Sequence, residues 1–530
     1  MAMGNRIASL LSAFILFPFL LATTTLAATL DIQLAAEPGT LDPQRHSGDW
    51  SDWIVGDLFE GLVTEDAAGN PVPGQAQSWT VSPDGLTYSF KLRDGLKWSD
   101  GQRLDSGDFL FAFRRLLEPR LAAEFAFIQF PIKNAEAFNS GTMTDPAALG
   151  IAAPDKSTVV ITLERPMPYF LQALVQPGAY PVPRHLVEKL GDDWAKPQNI
   201  VSNGAFKLAE WKSEMDIRAV RNESYRAASD VKLDEVIYHF ADDEATTVTS
   251  FDKGEFEIAT QFPTDAFAKL QAKRPGEARV VPTLGVWYYV LNLRDPPFDD
   301  PNVRRALSMA IDRERLGTEV TQTGQNAAYG MVPPGAPGFE SRHYVPDWAA
   351  MEHSERVAEA KALLAAAGYG PGKPLQFTLR TSTMPTQVKV SEAVAQNWKE
   401  IGAEVDFVRR PIPEHHDFLM RHDFTAGTIG WILDYSDAAD SLSLMYSGHP
   451  NNYPGYSNPG FDALLDKART EPIEAVRVEL LHEAEKMALD ETAVIPLTWA
   501  VSKNLVAPAV SGFVDNVRNV HRARWLSLKE

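Results

Sequence analysis

The chain has 530 residues, no cysteine and a formal net charge of −20. The missing cysteines exclude disulfides, thiolate metal sites, cysteine nucleophiles and a lipid-modified cysteine anchor. Strong acidity without a basic cluster argues against nucleic acid or an anionic membrane surface as partner, and the length implies two or three domains.

Arg6 precedes a run from Ile7 to Leu21 that is apolar apart from Ser9 and Ser12, with Pro18 inside it and small residues after it. This pattern predicts a cleavable export signal over residues 1–27 rather than a membrane anchor, since a spanning helix needs about 20 apolar residues. Cleavage after Ala27 removes one positive charge and no acid, leaving 503 residues with a net charge of −21. No later segment is apolar enough to span, so a freely diffusing periplasmic protein is expected.

Strands and helices then alternate, which predicts an α/β fold. "TLDIQLAAEPG" opens with Leu30, Ile32 and Leu34 on one strand face and breaks at Pro38-Gly39. "GLTYSFKLRDG" is a strand entering Asp-Gly turns; Phe109, Phe113 and Leu116 follow at helical spacing, with Asp105 or Ser106 as cap. Val236, Tyr238 and Phe240 share a strand face. "DPNVRRALSMAI" predicts a helix capped by Asp300 with Pro301 at its first position and Val303, Leu307, Ala310 and Ile311 buried. Between Ser354 and Val408 the order is helix, strand "LQFTL", helix, strand, which predicts parallel pairing across a helical crossover. No internal repeat is present.

The search for catalytic motifs finds little. There is no phosphate loop of the form G-x-x-x-x-G-K-[ST] and no G-x-S-x-G elbow, and "HEAEK" at His482 lacks the second histidine of a zinc-protease helix. His415, His416 and His422 are expected in a solvated loop rather than a metal cluster. Asp242-Asp243 and Asp299-Asp300 read as loop ends. Carboxylate pairs for glycoside hydrolysis remain open, because such pairs meet only in space. What the chain does offer is aromatics beside isolated polar groups, as in "GVWYYVLNL", "AEFAFIQF", "PLTWAVS" and "GWILDY". In the last of these Asp434 is a carboxylate in an apolar run with no Lys or Arg to pair with it, and a buried charge needs a partner.

The segments "AEPGTLDPQ", "DLFEGLVTEDAAGNPVPGQAQSWTVSPDGLTYSFKLRDGLKWSDG", "SNGAFKLAEW", "PPFDDPNVRRALSMAIDRERL", "GWILDYSDAADSL" and "SNPGFDALLDKA" follow one another collinearly. Through them the chain resembles the periplasmic oligopeptide- and dipeptide-binding proteins of ABC importers, solute-binding protein family 5. The resemblance implies a three-domain periplasmic binding protein of type II, cluster C. Two lobes would close on a hinge: domain I from residues 28–50, 181–284 and 499–530, and domain III from 285–498, with domain II inserted at 51–180. It further implies an extended peptide ligand, no cofactor, a monomer and delivery to an inner-membrane permease with ATPase subunits.

Carried residue by residue, the resemblance makes Asp434, after Trp431, the acceptor of the ligand's α-ammonium. Glu37, Pro38 and Gly39 match a segment whose backbone pairs with the peptide. Phe125, Trp287, Tyr288 and Trp499 match aromatic positions at or near the cleft. The sequence departs from the family where basic residues meet the peptide carboxylate: Thr321, Thr386 and Thr428 stand there, with Arg380 and Arg421 as candidate replacements. Gly285 and Ile432 occupy the positions of a disulfide found in some relatives. Peptide binding is therefore the expected function. The alternatives are a non-peptide cargo (an amino-acid conjugate, an opine-like compound, a sugar or a chelated metal) and, from another class, a periplasmic hydrolase.

Overall fold

The structure is a computed structural model that describes residues 27–529 apart from Gly324. The expected export signal therefore falls almost wholly outside the described residues. Among these, no helix is long and apolar enough to cross a membrane.

A ten-stranded mixed sheet runs through the molecule. Its order is Ala403–Arg410, Leu375–Ser382, Ala426–Ile432, Ala278–Leu291, Ile495–Val506, Ile258–Ala259, Thr29–Leu34, Glu235–Phe240, Asp216–Arg221 and Phe206–Lys212. Two long central strands, 278–291 and 495–506, pair antiparallel over most of their length and carry the sheet from one end to the other. Their ladder shifts register between Pro282 and Val286, where a residue without an N–H interrupts the pairing. A separate four-stranded sheet is built from Ala76–Val81, Thr87–Leu92, Thr158–Thr162 and Ile151–Asp155.

Local chemistry explains the elements. Leu30, Ile32 and Leu34 are fully buried, and their strand pairs parallel with Glu235–Phe240. Asp105 caps helix Ser106–Leu116 in a reciprocal capping box with Asp108, and Phe109, Phe113 and Leu116 turn inward. Asp300 caps helix Pro301–Ala310, whose Val303, Leu307 and Ala310 are fully buried, as is Ile311 just beyond its end. The predicted crossover unit is present: Leu375–Ser382 and Ala403–Arg410 pair in parallel, joined by helix Pro385–Glu400 with Val394 and Trp398 inside. Gly368 ends the preceding helix at φ +86°, a conformation glycine adopts without strain.

The apolar side chains collect into several cores. One is continuous across residues 30–238 and the C-terminal stretch, so the stretch 51–180 shares its interior with the segments flanking it. Two others lie between residues 284 and 499. Between the first core and the other two lies the cleft.

Candidate binding cleft

Two cavities open between these cores. The larger, about 430 Å³, is lined by residues from both sides, among them Phe125, Gln176, Thr283, Trp287, Ile432, Asp434 and Lys503. The smaller, about 180 Å³, is lined by Trp287, Tyr288, Thr321, Thr386, Gln387, Thr428 and Lys503 among others. Trp287, Val501 and Lys503 belong to both walls, so the two spaces adjoin. Trp287 reaches this position because its indole lies over Gly430 on the neighbouring strand. A Cβ at 430 would sit 2.5 Å from the ring.

Asp434 follows directly on strand Ala426–Ile432 and lines the larger cavity. Its carboxylate has no ion-pair partner among the described residues. Beneath it lies a second acid. Asp440 is almost fully buried, and its Oδ2 accepts the Trp431 indole N–H at 2.8 Å and the Asp434 backbone N–H at 3.3 Å. Desolvation pushes the Asp434 carboxyl up to about 6. Burial, reinforced by the neighbouring Asp434, pushes Asp440 well above the usual carboxylate range. Two adjacent acids, one buried and one half-buried at the cavity wall, with no ion-pair partner for Asp434 among the described residues, are chemically suited to accept a positive charge. Asp437, by contrast, is fully paired, with Arg477 gripping both its oxygens at 2.6 and 2.8 Å.

The remaining sequence-predicted residues divide into two groups. Phe125, Trp287, Tyr288 and Thr428 line the cavities, and so do Thr321 and Thr386. The hydroxyls of this far end bond one another: Thr321 and Thr323 at 3.0 Å, and Thr428 to Thr381 at 3.2 Å. Trp431 acts from behind the wall, through Asp440. Trp499 turns away into the core with Val286, its partner in the ladder, because side chains at one register position share a face.

Glu37, Pro38 and Gly39 do not line either cavity. The Glu37 carboxylate accepts from Trp211 Nε1 at 2.6 Å and the Glu214 backbone at 3.0 Å. Arg380 and Arg421 are also outside both walls. Their guanidinium groups lie 4.0 and 5.3 Å from the Phe418 ring and pair with Asp423 and Asp417. His415 and His416 lie on helix Ile412–Met420 rather than in a solvated loop, and His422 stands in the turn that follows it. His415 is buried and donates to the Thr428 carbonyl at 2.6 Å, and no group of three metal-ligating side chains forms among the described residues. Gly285 and Ile432, the expected disulfide positions, do face one another across the ladder.

Residues 70–453 match the model for bacterial extracellular solute-binding proteins, family 5. The chain belongs to this family. Among similar proteins is an Escherichia coli K12 protein named as a probable deoxycholate-binding periplasmic protein, YgiS. It is 36% identical over 481 residues, covering 90% of this chain and 89% of that one. The periplasmic oligopeptide-binding protein OppA of Salmonella typhimurium LT2 is 34% identical over 97% of each chain. The unliganded open form of the periplasmic murein tripeptide-binding protein MppA superposes with a TM-score of 0.83 at 32% identity, covering 95% of this chain and 97% of that one. Haemophilus influenzae OppA in complex with RPPGFSPFR gives 0.80 at 30% identity, covering 95% and 99%. The family 5 fold, a large mixed α/β assembly of several domains, is therefore that of this chain.

Sequence reading missed the cleft residues Lys503, His46, Asp52, Thr283 and Gln176. Of these only Lys503 carries a signal: it is the one charged residue in the strand "IPLTWAVSKNLV".

Proposed function

We propose that this protein is the periplasmic binding component of a peptide importer. It captures short peptides in an extended form and hands them to an inner-membrane ABC permease with its ATPase subunits, working as a monomer and without covalent chemistry. The export signal at residues 1–27 would deliver it to the periplasm. Domain I would comprise 28–50, 181–284 and 499–530, with domain II at 51–180 and domain III at 285–498; the long strands 278–291 and 495–506 would serve as the hinge.

The observation that carries this reading is Asp434, which lines the larger cavity without an ion-pair partner among the described residues and is backed by the buried Asp440. Every peptide brings an α-ammonium, so a carboxylate that binds it secures affinity without reading sequence. A charge-assisted bond of this kind contributes roughly 1.5–3 kcal/mol in a closed cleft. The peptide-binding relatives support the same reading.

Native mass spectrometry of the purified protein, followed by tryptophan-fluorescence titration with alanine peptides, tests it. Free trialanine should quench or shift the emission and be recovered intact, while N-acetyl-trialanine should bind at least tenfold more weakly. Equal binding of the two would remove the amine assignment. Recovery of cleaved peptide would favour a hydrolase.

A second reading has its own support. The smaller cavity is apolar with a hydroxyl lining, and threonines stand where basic residues were expected. An amphipathic acid such as deoxycholate, the compound in the name of one relative, fits that chemistry and belongs in the same titration.

A further inference from the structure

We infer that Lys503 receives the free carboxylate of the cargo, exchanging Glu244 for it when the cleft fills. The inference rests on the binding-protein reading above and adds to it the anionic end of the ligand, for which neither Arg380 nor Arg421 is in place.

Three observations point to Lys503. Among the described residues it is the only charged one in the wall of the smaller cavity, and it also lines the larger one, so it stands where the two spaces meet. Its ammonium is held by groups that a ligand could replace or join: it donates to Glu244 Oε1 at 2.7 Å and to the Phe262 carbonyl at 2.7 Å. Glu244 is 39% exposed, so this ion pair is a solvated one of small worth and gives way readily.

The other cations of the larger cavity are committed elsewhere. Arg518 pairs with the buried Glu65, and buried Arg522 donates to the Asp52 carbonyl. His46 lies between Asp52 Oδ1 at 2.7 Å and the Pro43 carbonyl at 2.8 Å. His521 is buried, with its imidazole pushed down to about 3 by desolvation, and so stays neutral. Only Lys503 combines a positive charge, a place in both walls and an exchangeable partner.

Position strengthens the case. Asp434 follows the 426–432 strand of the proposed domain III, whereas Lys503 lies two places along the sheet on the 495–506 strand, opposite Val280, beyond the register shift and within the proposed domain I. A ligand with a cation at one end and an anion at the other therefore engages both lobes, and differential contact of this kind drives closure. The three threonines leave the far end of the smaller cavity free of charge, so the carboxylate is met at its mouth while apolar portions enter it.

The carboxylate can come from a peptide C-terminus or from an amphipathic acid, and calorimetric titration separates the two. Trialanine, trialanine amide and deoxycholate are titrated into the wild type, Lys503→Met and Glu244→Gln proteins. The expected result is that wild type prefers trialanine to its amide by about tenfold to a hundredfold. Lys503→Met should abolish that preference. Glu244→Gln, by freeing the ammonium, should increase it, a gain that a merely structural ion pair cannot produce. If deoxycholate alone binds, and its affinity responds to both variants in the same way, Lys503 is upheld and the peptide reading falls. If acid-over-amide preference is absent in wild type, or survives both substitutions unchanged while N-acetylation still weakens binding, the Lys503 assignment is overturned and the peptide reading stands. If neither carboxylate binds the wild type, both are overturned.

Discussion

Tyr169 and Tyr435 stack face to face, with ring centroids 4.8 Å apart and planes 5° from parallel. The two residues belong to different sides of the cleft: Tyr169 packs against the core that contains Phe170, and Tyr435 follows the strand that ends at Ile432. Nearby, Gln176 donates to the Asp434 carbonyl at 2.7 Å, and Arg477 lies 4.9 Å from the Tyr169 ring. These contacts hold the two sides together beside Asp434.

Removing that stack should loosen closure rather than unfold the protein. An aromatic pair contributes about 0.5–1.5 kcal/mol beyond its buried area. Tyr435→Ala is expected to weaken trialanine binding about three- to tenfold, chiefly through faster dissociation, which stopped-flow fluorescence reads. Small-angle scattering of the empty variant should show a larger radius than wild type. An unchanged off-rate would remove the stack from the closing contacts.

Asp434→Asn separates binding from stability. Its affinity for free trialanine should fall about ten- to a few hundred-fold, and N-acetylation should then make no further difference. The empty variant should nonetheless be the more stable one at pH 7.5, by roughly 1–2 kcal/mol, because it buries no unpaired charge. Urea denaturation checks this.

The pH dependence follows from the same carboxyl. Its folded value of about 6 lies above its ordinary 3.8, so between these limits the folded protein holds more proton than the unfolded chain. Its contribution to stability is therefore present at low pH and lost as pH rises through about 6. The advantage of Asp434→Asn over wild type should narrow below pH 6 and vanish near pH 4. Binding runs the other way: an ammonium needs the carboxylate, so wild-type affinity for trialanine should drop below pH 6 with proton release on binding. Calorimetry in buffers of different ionisation enthalpy measures that release.

Gly430→Ala tests the wall between the two cavities. The added methyl meets the Trp287 ring at 2.5 Å and must displace it, since the backbone itself is paired on that strand. Overpacking of this kind costs about 1–3 kcal/mol. The expected outcome is a shifted tryptophan emission and weaker binding of every ligand tried; an unperturbed emission spectrum would count against it.

Arg477→Ala should be the most damaging of these changes. It strands the Asp437 carboxylate, about 5% exposed, without its bidentate partner. The loss should be about 3–5 kcal/mol in denaturant unfolding. Asp437→Asn combined with Arg477→Met should recover part of it.

Much of the scaffold was legible in the sequence, for local reasons. Asp105 and Asp300 declare their helices through capping chemistry, and the 354–408 segment declares a parallel pair because its hydrophobic period changes from helix to strand and back. Asp434 was legible because a lone carboxylate in an apolar run demands a partner. Lys503 carries the same signal with opposite sign in "AVSKNLV", and it went unread because no motif surrounds it. Trp499 faces the core rather than the cleft. Strand facing depends on register, and the register shift between Pro282 and Val286 cannot be deduced from alternation alone. Asp440 was invisible as a site residue, since only folding brings it under Asp434.

The break in the long ladder has a mechanical consequence. Thr283 and Leu284, which lie within the register shift, also line the larger cavity. If the two long strands flex, they flex where regular pairing is interrupted, so the axle of the motion is itself part of the surface the cargo touches. A bound molecule then sets the angle of the lobes directly, by what it wedges or fills at the pivot. Cargoes of different bulk should then leave the two long strands at different angles, a graded shape rather than a simple open or shut.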